Sequence, residues 1–278
     1  MTASEAKCFL NMPSSDSTYL SPADSMNILK RLKCCVIIPC YDNAGTVRNV
    51  TERALNFCCD VIVVDDGSTD GPAAALQGLP AKVVRHDRNR GKGQALKTGF
   101  RIAASLGFER AITLDSDGQH YPEDIQAFAA ALDTHPGSML VGCRNLRHEH
   151  MPGGNTFANR FSNFWFKVQT GKRLSDTQCG FRLYQLRKLG SMALLTSRYE
   201  AELELLVSQC WKGVDIQEIP IQVYYPPQSQ RITHFRPFRD FLRITILNIF
   251  LCLFALIYGY PRKLINGIIK KMTVDINV

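Results

Sequence analysis

The chain has 278 residues, 45% hydrophobic and 21% charged, with a formal net charge of +8. This composition excludes a disordered chain and a polytopic membrane protein, and the length suffices for one large domain with a real core. Residues 1–142 carry 14 basic and 16 acidic side chains, 143–198 carry 10 and 2, 199–225 carry 1 and 5, and 226–278 carry 8 and 2, which argues against a uniformly basic nucleic-acid coat and predicts one end that prefers anions.

Residues 1–33 read as a disordered segment, rich in Ser, Asp and Pro over 11–25 and without the basic-then-apolar pattern of a secretory leader. Cys34 to Pro39 is a short apolar run, a buried strand, and Val47 to Phe57 reads as a helix. Asp60 to Val64 is a second strand, stopped by Asp65-Asp-Gly-Ser-Thr-Asp70. Ala81 to Arg85 is a third, followed by a helix from Gly93 to Ser105. Arg110 to Leu114 is a fourth, ending in Asp115-Ser-Asp117, with a helix starting at Pro122. Ser138 to Gly142 is a fifth. Strands alternating with helices specify an α/β fold with a doubly wound, mainly parallel sheet flanked by helices, and such sheets bind ligands at the carboxyl ends of their strands.

Beyond residue 142 the pattern changes. Asn155 to Thr170 reads as an aromatic amphipathic helix, either core packing or the wall of a lipid groove. Ala201 to Trp211 is a further helix and Val214 to Val223 a strand. Two helices, about 238–259 and 263–272, close the chain. Ile244 to Pro261 is 18 residues without a charge, about 27 Å as a helix against a bilayer core of about 30 Å. Its flanks Arg239, Arg243, Arg262 and Lys263 favour membrane attachment, peripheral or by a single span. The ten cysteines form no CxxC pair and no zinc spacing with His, and read as reduced cytosolic thiols.

Three clusters can carry chemistry. Asp115, Asp117 and Gln119 follow a buried strand and form a hard-oxygen set suited to Mg²⁺ or Mn²⁺. Asp66 can accept from a base amide or a ribose hydroxyl; as turn chemistry one Asp would suffice. Arg88-Asn-Arg-Gly-Lys-Gly93 opens a helix and suits phosphate, or is a solvated turn.

The ordered series Ile38-Pro-Cys-Tyr-Asp-Asn43, Val63-Val-Asp-Asp-Gly-Ser-Thr-Asp70, Asn89-Arg-Gly-Lys-Gly-Gln-Ala95 and Leu114-Asp-Ser-Asp-Gly-Gln-His120 resembles family 2 glycosyltransferases of the GT-A fold. Within them it is most similar to the dolichyl- and polyprenyl-phosphate sugar synthases. Asp176 to Arg182 and Gly213 to Ile221 extend the match, which covers 34 to about 236. The resemblance implies a GT-A domain over 34–236, with membrane-associated helices over 237–278. It implies a UDP- or GDP-linked sugar donor, a divalent metal, and inversion by single displacement onto a lipid or lipid-phosphate acceptor at the cytoplasmic face of a membrane. Carried over, Pro39, Tyr41, Asn43, Asp66 and Lys92 bind the nucleotide, and Asp115, Asp117 and Gln119 hold the metal. Asp117, Arg144, Asp176 and Arg182 form the catalytic set. Asp176 is either a general base toward a hydroxyl or a brace to Arg182. Arg231, His234 and Arg236 form a loop that closes on the acceptor, and the basic block 143–198 faces phosphate with it. Relatives carry Asn-Glu after the Tyr where this chain has Asp42-Asn43. A hydroxyl of a glycolipid as acceptor, and a degenerate transferase acting as a membrane scaffold, are the alternative functions.

Overall fold

A computed structural model describes residues 20–144, 153–190, 196–224, 237–262 and 264–265. Its strands are β1 (Cys34–Cys40), β2 (Val61–Asp65), β3 (Ala81–Arg85), β4 (Arg110–Thr113), β5 (Met139–Arg144), β6 (Arg182–Gln185) and β7 (Ile216–Ile221). They form one sheet in the order β3-β2-β1-β4-β6-β5-β7. The helices are α1 (Pro22–Arg31), α2 (Ala44–Leu55), α3 (Pro72–Ala75), α4 (Lys92–Ser105), α5 (Ile125–Thr134), α6 (Gly153–Thr170), α7 (Leu186–Leu189), α8 (Glu200–Trp211) and α9 (Pro237–Phe254). A π-helical turn, Ala255–Gly259, continues α9.

The apolar runs of β1 and β2 are buried at every position, because helices cover both faces of the sheet. One face packs against α4, α8 and α9 through Ile37, Phe100, Tyr184 and Leu206. The other carries Val36, Ile38, Phe128 and Phe181, with Leu29 of α1 beside them. Phe128 and Phe181 stack at 4.5 Å between ring centres.

Two expectations are corrected. The segment 1–33 is not disordered throughout, since Pro22–Arg31 is helical. Ser21 accepts the Asp24 N–H at 3.1 Å, Pro22 opens the first turn, and Lys30 and Arg31 close the last. Ser21, Pro22 and Asp24, which lie in the stretch read as disordered, are the residues of a helix N-terminus. The second correction is β6, for which no strand was expected. It runs antiparallel between β4 and β5, pairing Thr113 with Arg182 and Val141 with Arg182. Its beginning therefore lies at the carboxyl edge of its parallel neighbours, and residues 176–181 are delivered there.

A buried carboxyl ties this edge to β7. Asp124 accepts the Gln222 N–H at 2.7 Å, and Val223 bridges to His120. Burial pushes the Asp124 carboxyl up to about 6. Its folded-state value lies above the unfolded one, so the unfolded chain ionises first. Stability from this group is therefore lost as pH rises from about 4 to about 6. Asp124→Asn keeps an acceptor for Gln222 and removes the cost, which is at most about 3 kcal/mol. A higher Tm at pH 7 with little change at pH 4 is expected in thermal melts. Equal Tm changes at both pH values would contradict it.

Candidate active site

Parallel register brings the loops after β1, β2 and β3 to one edge, with Cys40 beside Asp65 and Asp65 beside Arg85. Asp42 adopts a left-handed backbone (φ 48°), and its Oδ1 accepts the Thr69 N–H at 2.7 Å. The Asn43 amide donates to Ser116 Oγ at 3.2 Å, tying in the loop after β4. Pro39 is buried within β1, and Tyr41 is half-buried at the rim.

Asp66 is committed to its own protein. Its Oδ2 accepts the Gly91 N–H at 2.7 Å, and its Oδ1 accepts the Arg90 N–H at 3.0 Å with His86 Nδ1 at 2.6 Å. The other nitrogen of His86 lies 2.9 Å from the Thr98 hydroxyl. Asp66 thus shapes the Arg88–Gly93 turn from behind. Gly91 has φ 95°, and a Cβ there would lie 2.5 Å from the Ser197 carbonyl, so the turn needs glycine.

Asp115, Asp117 and His120 gather at the centre. Lys92 Nζ lies 2.6 Å from Asp115 Oδ1 and 2.9 Å from Glu202 Oε2. Burial alone would lower the Lys92 ammonium, but the two carboxylates outweigh it and hold it well above its usual range. Burial also pushes Asp115 up, and Lys92 and His120 reverse this. At Asp117 the same two groups act more weakly and are outweighed. Burial first, then the Asp115 charge, raises its carboxyl above the ordinary value. Burial lowers the His120 imidazole below its ordinary value, against the pull of Asp115 and Asp117. Its Nδ1 is buried without a hydrogen-bond partner, 3.8 Å from Asp115 Oδ2.

Repelling carboxylates beside an orphaned imidazole nitrogen make a donor set short of a cation. Among the described residues no group of three or more His, Cys, Asp or Glu side chains is placed to hold a metal ion. The donors present are the two carboxylates and the His120 nitrogen, and Mg²⁺ or Mn²⁺ would need phosphate and water for the remaining positions. Gln119 contributes backbone: its N–H closes on Asp117 Oδ1 at 2.9 Å and its carbonyl accepts from Tyr224 at 2.8 Å. Gly180 passes directly over the cluster. A Cβ there would meet Asp115 Oδ2 at 2.7 Å, Lys92 Nζ at 3.0 Å and Glu202 Oε1 at 3.1 Å.

Asp176 braces Arg144, not Arg182. Arg144 donates from Nε to Oδ2 at 2.5 Å and from Nη2 to Oδ1 at 2.9 Å. The Asn159 amide and the Gln178 and Cys179 N–H groups also donate to Oδ1. Burial would raise the Asp176 carboxyl, yet the Arg144 pair and these donors hold it below the ordinary range. Arg182 is wholly buried and donates to the carbonyls of Cys179, Glu202 and Thr177. It staples the turn and cannot reach a substrate, so its expected catalytic role is withdrawn.

The basic block 143–198 does not converge on phosphate as a whole. Arg187 pairs with Glu109 and Lys188 donates to the Gly137 carbonyl, both at the opposite edge of the sheet. Arg231, His234 and Arg236 lie outside the described residues, as does most of 263–272. His120, Gly180, Asn159 and Glu202 are site residues that sequence reasoning missed. His120 was legible as the residue ending the Asp-Ser-Asp-Gly-Gln motif, whereas Glu202 hides among three Glu residues in a helix buried at eleven of its twelve positions.

Comparison with known proteins agrees with this architecture. The family model described as Glycosyl transferase family 2 matches residues 35–189, more than half of the chain. The UDP-N-acetylglucosamine–dolichyl-phosphate N-acetylglucosaminyltransferase of Methanococcus voltae is 29% identical over 217 residues, 70% of this chain and 86% of that protein. The polyprenol monophosphomannose synthase of Mycolicibacterium smegmatis is 26% identical, over 71% of this chain and 80% of that one. A solved structure of glucosyl-3-phosphoglycerate synthase from Mycobacterium tuberculosis, in complex with Mn²⁺, UDP and glucosyl-3-phosphoglycerate, superposes with a TM-score of 0.61 at 16% identity. The match covers 87% of this chain and 86% of that one, and it places the fold in the GT-A class. With the family model matched over residues 35–189, more than half of its length, this chain is a member of glycosyl transferase family 2.

Proposed function

We propose that the protein transfers a sugar, with inversion, from a UDP- or GDP-linked donor to a polyprenyl-type lipid phosphate at the cytoplasmic face of a membrane. Asp115 and Asp117, with His120 or Gln119 beside them, would hold Mg²⁺ or Mn²⁺. That ion supplies Lewis-acid stabilisation of the departing diphosphate. Tyr41, Asn43 and the turn shaped by Asp66 would border the nucleoside. Lys92, anchored by Glu202, supplies positive charge beside the phosphates. Arg144 is fixed at the rim by Asp176, and Arg231, His234 and Arg236 would receive the acceptor phosphate. A phosphate oxygen of the acceptor attacks the anomeric carbon while the bond to the nucleoside diphosphate breaks with its electron pair.

The observation that carries the acceptor class is the state of Asp176. It is the carboxylate expected beside the acceptor, it is fully buried, and the Arg144 and Asn159 side chains and three backbone N–H groups occupy it. A hydroxyl acceptor would need a base there; an anionic phosphate needs none. The names of the relatives support the same class. The test is transfer of radiolabel from a panel of nucleotide sugars into extracted lipids, followed by mild acid. Release of the label indicates a glycosyl phosphate, as expected. An acid-stable product would transfer the reading to a hydroxyl of a glycolipid. Calorimetry that detects no donor binding with Mn²⁺ would favour a scaffold.

A further inference from the structure

We infer that α9 and its π-turn do not cross a bilayer but lie flat in one leaflet, docked on the catalytic domain, with an anionic lipid monolayer covering their outward face. The stretch Leu242–Arg262 is long and apolar enough to span, yet one stripe of it is already occupied. Leu247, Asn248, Leu251, Ala255 and Gly259 are all buried. Asn248 accepts from the Gln169 amide at 2.8 Å, inside the protein. Gly259 lies against the Trp211 indole, where a Cβ would come within 2.4 Å of Nε1. The indole in turn donates to the Gln169 carbonyl at 2.8 Å. From Leu247 to Gly259 the docked length is about 18 Å. A span needs about 30 Å of helix inside hydrocarbon. Burying this one would drag α6 and α8 in with it, together with the exposed Lys167 and the Lys212 that closes α8.

The outward face has no such partner among the described residues. Ile249, Phe250, Leu253, Phe254, Leu256 and Ile257 are 46–79% exposed, a run of large apolar side chains on one helix of the kind that marks a membrane or partner contact. Tyr260 donates to the Val168 carbonyl at 2.6 Å. The exposed Phe164 and Val168, one turn apart on α6, therefore adjoin this face. Its ends are basic. Arg243 stands near the start, and Arg262 at the far end lies close enough to Lys212 to depress that ammonium after burial. An apolar face ended by cations matches a leaflet with anionic headgroups, and the protein body replaces the polar side of an ordinary interfacial helix.

The membrane setting is taken from the proposed function, but the test reads no transfer and can fail independently. The full chain with a C-terminal epitope tag is placed in sealed membrane vesicles, and protease is added to one side only. Catalytic domain and tag are expected to be cleaved from the same side. A tag protected while the domain is digested would overturn the proposal. Purified protein is then floated with phosphatidylcholine–phosphatidylglycerol vesicles. At least tenfold less Ile257→Glu/Phe250→Glu protein is expected to float, with donor binding by calorimetry unchanged. Flotation equal to the parent would overturn it, as would equal flotation of the parent on pure phosphatidylcholine vesicles.

Discussion

Asp117→Ala is expected to lower turnover at least about 10³-fold at saturating donor and cation, the scale of losing a charge that stabilises the departing group. Asp117 is the carboxylate at the site that Lys92 does not neutralise. Lys92 sits instead between Asp115 and Glu202, so removing Asp117 takes away a proposed cation ligand without breaking an ion pair among the described residues. In chelator the Tm of the variant should be equal to or above that of the parent, because Asp117 is half-buried beside a like charge. Activity lost with Tm retained identifies a ligand. Full turnover in the variant would remove the metal-assisted mechanism.

Asp176→Asn is expected to act through Arg144. The pair is buried on the carboxylate side and bidentate, and breaking such a pair costs about 3–5 kcal/mol because a charge is left uncompensated. Arg144→Ala should resemble Asp176→Asn in both Tm and turnover. The double variant should then be little worse than either single one, since both remove the same contact. A general base would behave differently. Asp176→Asn would then lower turnover far more than Arg144→Ala does at a similar loss of Tm, and would erase the acid limb of the pH–rate profile. Thermal melts and pH profiles of the three variants separate the two cases.

The parallel half of the fold was legible because its signals are local. Cys34–Cys40 and Val61–Val64 are continuous apolar runs, and polar turns mark where each ends. The carboxyl-edge location of Asp115 and Asp117 followed from the same alternation. What stayed hidden depends on distant partners. β6 is four residues long and begins with a charge, and Arg182 is tolerated there only because three carbonyls from 177, 179 and 202 satisfy it. Nothing near residue 176 says that its carboxylate faces Arg144, 32 residues away, rather than Arg182. The reach of Lys92 to Glu202 is equally non-local. Asp66 shows the same limit. Its position after a strand was legible, but its service to the backbone of residues 90 and 91 was visible only once β3 stood beside β2. In 244–260 the apolar length was plain from the sequence, whereas the docked stripe through Leu247, Leu251 and Ala255 needed α8 and α6 in place.

In the proposed reaction the acceptor brings its own negative charge, because Asp176, the carboxylate expected beside it, is held by Arg144 and Asn159. This is tested most directly by presenting one polyprenyl chain in two forms, as the monophosphate and as the free alcohol, to the same protein with donor and Mn²⁺. The account predicts sugar transfer to the phosphate and none to the alcohol. Transfer to the alcohol at a comparable rate would contradict it.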